Sequence, residues 1–191
     1  MHARLTLATL AVALLASPSL ARAQASLDER VTSQRFTIEH VLIASRRSFD
    51  EVRAALEAKL QHYDERIAAM LRQGEAERAR VELERLAAPT GLTILQTLNH
   101  GSALVLRGGR RNAIQYGIGN VLIATEMTQH RLAAGLYAPI RVLLYEAEGS
   151  TAVFEYDRPS TAFALFGDDR IDAVAKRLDA QLQSVLQDVS R

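Results

Sequence analysis

"GLYAPIRVLLYEAEGSTAVFEYDRPS", Gly135 to Ser160, is the stretch that decides how this chain folds. Two runs rich in Val, Leu, Ile, Phe and Tyr flank Glu148-Gly149, the pattern of a β-hairpin. A tight turn at Glu148-Gly149 pairs Ala147 with Ser150. Leu143 then stands opposite Phe154, Tyr145 opposite Ala152 and Arg141 opposite Tyr156 on one face. Ile140, Val142, Leu144 and Glu146 share the other face with Thr151, Val153, Glu155 and Asp157. Neither face is purely apolar or purely polar. One side is therefore expected under helices, and the other against a groove, a ligand or a second subunit.

After the hairpin, Asp168 to about Val189 carries Ile171, Val174, Ala175, Leu178, Leu182, Val185 and Val189 along one stripe, a helix that must lie on a sheet. Before it come a strand over residues 92–99, a basic turn "RGGRR" at Arg107–Arg111, a strand at Asn112–Asn120 and a short helix at Val121–Ala134. Residues 34–45 alternate as a first strand, with Phe36, Ile38, Leu42 and Ala44 on its more apolar face. Ser48 and Glu51 then form a capping box. Val52, Leu56, Leu60, Tyr63, Ile67 and Met70 or Leu71 continue at helical spacing up to Gly74, and an Arg- and Glu-rich piece runs to Ala87. This region reads as one long bent helix or a helical hairpin hinged at Gly74. It is either a dimerisation arm or, the reading we favour, a solvated helix held by ion pairs. The order is strand, helix, several strands, helix, and the expected class is α+β: an antiparallel sheet covered by helices on one face.

His2 and Arg4 precede an apolar run from Leu5 to Leu15, followed by "ARAQA" at residues 21–25. These are the parts of an export signal over residues 1–23, with cleavage after 23 or 25. The run is shorter than the roughly 20 residues that span a bilayer, and no membrane span is expected in the mature chain. Losing Arg4 and Arg22 from 23 basic residues leaves 21 against 22 acidic ones. A near-neutral chain argues against nucleic-acid binding. With no Cys and only 5 His, no metal and no cofactor is expected. The expected location is periplasmic or secreted.

Tyr116, Gly117, Gly119 and Asn120, then Gly135-Leu136-Tyr137-Ala138-Pro139, Arg141-Val142, Tyr145-Glu146, Tyr156-Asp157 and Pro159-Ser160, together resemble the domain of unknown function 302 family. "LNHG" (Leu98–Gly101) resembles the His-bearing turn after that family's second strand. The resemblance runs from about residue 34 to 191, with the charged segment near 64–88 as an insertion. Members usually show Gly-Asn-Pro where this chain has Gly119-Asn120-Val121. The resemblance implies a curved antiparallel sheet in strand–helix–four strands–helix order, similar to TATA-box-binding-protein halves, with dimers in some members and no established activity.

Three functions fit these residues. The first is a non-catalytic domain that binds a small amphipathic ligand or partner in a groove of Tyr116, Asn120, Tyr137, Arg141, Tyr145 and Tyr156, with His100 at its edge. The second is an enzyme using His100 with Glu146 or Asp157 as acid and base, Ser102 being a remote nucleophile without a nucleophile-elbow context. The third is a structural homodimer. His40 reads as a sheet residue and His130 as a surface residue, and "RGGRR" as a basic turn in preference to an anion cradle.

Overall fold

The computed structural model describes residues 31–191, so the expected signal at residues 1–23 lies outside the described residues. Phe36–Arg191 form one unit. Its elements run β1 (His40–Ser48), α1 (Phe49–Lys59), α2 (Glu65–Arg72), α3 (Ala76–Ala87), β2 (Thr93–Asn99) and α4 (His100–Ala103). Then come β3 (Ala113–Gly119), α5 (Val121–Thr128), β4 (Ile140–Glu146), β5 (Thr151–Asp157), α6 (Pro159–Phe163) and α7 (Asp169–Val189). The strands form one open antiparallel sheet in the order β1-β5-β4-β3-β2, and the fold is α+β as the patterning predicts.

Helices α1 and α7 cover one face. Val52, Leu56 and Leu60 from α1 and Ile171, Leu178, Leu182 and Leu186 from α7 pack on Tyr116, Val142, Leu144 and Phe154 of the sheet. Every residue of the predicted α7 stripe is buried, and Asp168 caps that helix by accepting from the Arg170 amide. The Ser48–Glu51 capping box forms as expected at the start of α1.

Three expectations are corrected. The first strand starts at His40, six residues later than its pattern suggests, because β1 has a partner only as far as Asp157. Beyond it the Arg158 amide donates to the Glu39 carbonyl, and Pro159 opens α6. Phe36 and Ile38 thus precede the strand. Of its remaining residues, Val41 and Ile43 meet the core while Leu42 faces outward.

The helix that begins at Phe49 ends at Lys59 although its apolar period continues. Gln61 and Tyr63 instead exchange backbone hydrogen bonds with Ile94 of β2 (2.9 and 2.8 Å), and tertiary pairing overrides local propensity. Asp64 then caps α2, and Gly74 (φ 78°) folds α3 back upon it. Ile67, Ala79, Leu83 and Leu86 make a second small core there, with Val121 and Leu122 against it. The exposed side of α3 carries Arg78–Glu75 and Arg85–Glu82 pairs at 2.6 and 2.9 Å.

The hairpin register moves by one residue. Ala147 donates to Thr151, so the loop is Glu148-Gly149-Ser150, with Gly149 and Ser150 both left-handed (φ 80° and 64°). Tyr145 stands opposite Val153, Leu144 opposite Phe154 and Val142 opposite Tyr156. Because side chains alternate, this slip turns every β5 residue to the other face relative to β4. Val142, Leu144, Ala152, Phe154 and Tyr156 all enter the core. Arg141, Leu143, Tyr145, Val153, Glu155 and Asp157 line the face without helices.

Candidate functional site

The six residues expected in one groove are distributed over both sides of the sheet. Tyr116 and Tyr156 lie under the helices, 0% and 3% exposed. The Tyr116 hydroxyl donates to Glu57 Oε1 at 2.8 Å, and burial first, then this bond, pushes its phenol pKa up. The Tyr156 hydroxyl is buried with no partner among the described residues. Tyr145 is on the opposite face and donates to Glu155 Oε1 at 2.7 Å. Asn120 caps α5: its Oδ1 accepts from the Leu122 amide and its Nδ2 donates to the Gly91 carbonyl. Val121 occupies the first helical position, which needs no amide donor, so the absent proline changes nothing in this cap.

His100, expected to pair with Glu146 or Asp157, makes no hydrogen bond to a carboxylate among the described residues. His100 Nε2 is 3.4 Å from Gln115 Oε1. Glu146 accepts from Asn112 Nδ2 at 2.8 Å. Asp157 lies three strands away from β2, about 14 Å at the usual strand spacing. Gly101, the other half of the His-bearing turn, is a packing residue. A Cβ there would overlap the Arg111 carbonyl and approach the Ala113 amide nitrogen to 2.8 Å.

What the fold does assemble lies where β2 begins and β3 ends. A cavity of about 370 Å³ is walled by Leu95, Ile118, Ile123, Met127, Ile140 and Phe163. Tyr63, Glu65 and Gln96 supply polar atoms at its border. A second hollow, about 520 Å³, is lined by Phe36, Ile38, Tyr137, Arg141 and Asp157. The two share Gln96, Ala138, Pro139, Ile140 and Phe163, and so adjoin along the segment Ala138-Pro139. Tyr137 is held edge-on to Phe36, Phe163 and Phe166, with ring centroids 5.9–6.2 Å apart. Arg141 is exposed and makes no ion pair among the described residues. Three of the six expected residues, Asn120, Tyr137 and Arg141, thus border this double chamber, while Tyr116, Tyr145 and Tyr156 line neither hollow.

At the rim of the second chamber, Asp157 Oδ1 meets His40 Nδ1 at 2.9 Å, and His40 Nε2 meets Glu155 Oε2 at 3.1 Å. With Tyr145 on Glu155, four side chains from β1, β5 and β4 form one chain of hydrogen bonds. The Asp157 bond first and the Glu155 bond second raise the His40 pKa above its ordinary value. The Tyr145 and His40 bonds lower that of Glu155. His40 was not foreseen in this role, because only the β1–β5 register opposes it to Asp157. Its two nitrogens bond to two different acids, and no metal-holding group of His and carboxylates occurs among the described residues.

The sequence profile of the family described as "domain of unknown function DUF302" matches residues 71–189. The fold is similar to the crystal structure of an uncharacterized conserved protein DUF302 from Bacillus stearothermophilus, with a TM-score of 0.57 and 15% sequence identity. That match covers 80% of this chain and 98% of the other. At this identity the likeness is one of fold. No curated protein matches the chain.

Proposed function

The chain belongs to the domain of unknown function DUF302 family, and from that premise we propose that it is an exported, non-catalytic domain that holds a small amphipathic molecule in the double chamber beside Ala138-Pro139. The adjoining hollows carry this reading. The first is of ordinary ligand-pocket size and mostly apolar, suited to the body of such a molecule. The second brings the Arg141 guanidinium to the edge, where an acidic head group gains a charge-assisted hydrogen bond. Asp157, the acid at the same rim, is already engaged by His40.

The test is titration of the full chain with 1-anilinonaphthalene-8-sulfonate, an amphipathic anion. Ala124→Phe fills the first chamber and Arg141→Ala removes the anchor, and each is expected to weaken binding at least about tenfold. Tyr145→Ala, which lines neither hollow, leaves binding as it is. Wild-type affinity in Ala124→Phe, with the fold intact by circular dichroism, would overturn the reading. Export rests on residues 1–23, and N-terminal sequencing of the periplasmic form checks it. The expected first residue is Gln24 or Ser26.

A further inference from the structure

The end of the sheet away from the chamber carries a second surface. β2 leaves the sheet at Asn99, whose Oδ1 accepts from the Ser102 amide at 2.9 Å and starts α4. The tight approach of Gly101 to Arg111 and Ala113 clamps that short helix against the beginning of β3. Beyond the clamp the chain makes one more turn, Leu104–Arg107, with its side chains outward. Leu104 is 37% exposed, Val105 58% and Leu106 83%. Arg107, Arg110 and Arg111 follow directly, all exposed and none in an ion pair among the described residues. Glu146, the acid that lines the hollow beside Val105, Arg110 and Arg111, accepts from Asn112 Nδ2 through its Oε2 and forms no ion pair with either arginine.

Three aliphatic side chains projecting into water next to three guanidinium groups that make no ion pair among the described residues call for an environment with two layers. The aliphatic tips need an apolar phase, and within one side-chain length the arginines need anions. An anionic lipid surface has that layering: the tips enter the acyl boundary while the arginine stems lie along it and reach phosphate. We propose that the turn Leu104–Arg111 docks this protein on a membrane surface rich in anionic lipid. No helix among the described residues is long and apolar enough to cross a membrane, and the contact is peripheral. It is also separate from the chamber. The Asn99–Ile114 pair marks one end of β2 and β3 and Thr93–Gly119 the other, about 20 Å apart along the strands.

The experiment is sedimentation of the full chain with vesicles of phosphatidylglycerol and phosphatidylethanolamine, against vesicles of phosphatidylcholine alone. Each arginine near an anionic surface is worth about a fivefold change in partitioning. Arg107→Glu/Arg110→Glu/Arg111→Glu should therefore lose about a hundredfold in binding to the anionic vesicles. Leu104→Ser/Leu106→Ser should lose about tenfold or more. Because the chain contains no Trp, Leu106→Trp is a sole reporter, and its emission should shift to the blue with anionic vesicles only. Equal sedimentation of wild type and both multiple variants overturns the proposal, since residues 1–30 are common to all. So does an unshifted tryptophan. A dimer that light scattering finds lost in the variants, without any dependence on lipid, assigns the patch to a second copy and overturns it too.

Discussion

Pro139 lies against the bare backbone of Gly117: a Cβ on that glycine would come to 2.9 Å from Pro139 Cγ and 2.5 Å from Gln96 Cγ. Both neighbours belong to the boundary between the two chambers. Gly117→Ala is expected to displace Pro139 at a cost of about 1–3 kcal/mol in urea unfolding. The same variant should weaken anilinonaphthalene sulfonate binding at least about tenfold. Unchanged binding would remove this boundary from the site.

Tyr116 and Tyr156 should respond oppositely to loss of their hydroxyls. Tyr116→Phe removes the bond to Glu57 and is expected to cost about 1 kcal/mol. Tyr156→Phe removes a buried hydroxyl that has no partner, so it is expected to be neutral or stabilising. Equilibrium denaturation of the two variants distinguishes them, and a larger loss at Tyr156 would contradict the packing described for β5.

The chain of bonds through His40 makes stability depend on pH in a definite direction. The folded His40 pKa is raised, so its contribution is complete below the unfolded value, about 6.5, and fades as pH rises through the folded one. Glu155 is lowered, so its contribution is present above about 4.3 and is lost as pH falls through its folded value. Both act together between those limits. NMR titration of His40 should give a midpoint above that of a free histidine. Asp157→Asn should lower it more than Glu155→Gln, the Asp157 bond being the larger cause. His40 is 57% exposed, so the effect on unfolding is small and screened by salt.

Phe154 and Leu42 test which face of the sheet is the core. Phe154 is fully buried, and Phe154→Ala is expected to cost about 3–5 kcal/mol. Leu42, 56% exposed on the other face, is expected to cost under about 1 kcal/mol on truncation to Ala. Comparable losses at both positions would show that the second face is also covered in solution.

Much of the fold could be read from local pattern. The stripe from Ile171 to Val189, the Ser48–Glu51 box and the strands flanking Gly149 are short-range features, and each is where its pattern puts it. The errors arose where a distant partner decided the outcome. Nothing local tells Leu60 to leave the helix; Ile94, thirty-four residues on, takes the backbone of Gln61 and Tyr63 instead. The candidate site was less legible because the length of one loop sets which face each side chain takes. Tyr116, Tyr145 and Tyr156 looked equivalent as residue types, but a single extra loop residue sends Tyr145 to one face and Tyr156 to the other.

By itself, then, the sequence determined the class of fold, the family and the order of the strands, because hydrophobic periodicity, caps and turn residues act over a few positions. Only the tertiary structure decided the hairpin register, the union of His40 with Asp157 and Glu155, and the adjoining hollows at Ala138-Pro139. Those depend on which face each strand turns to the helices. That choice is made by burial summed over the whole sheet, where a one-residue slip exchanges core for surface.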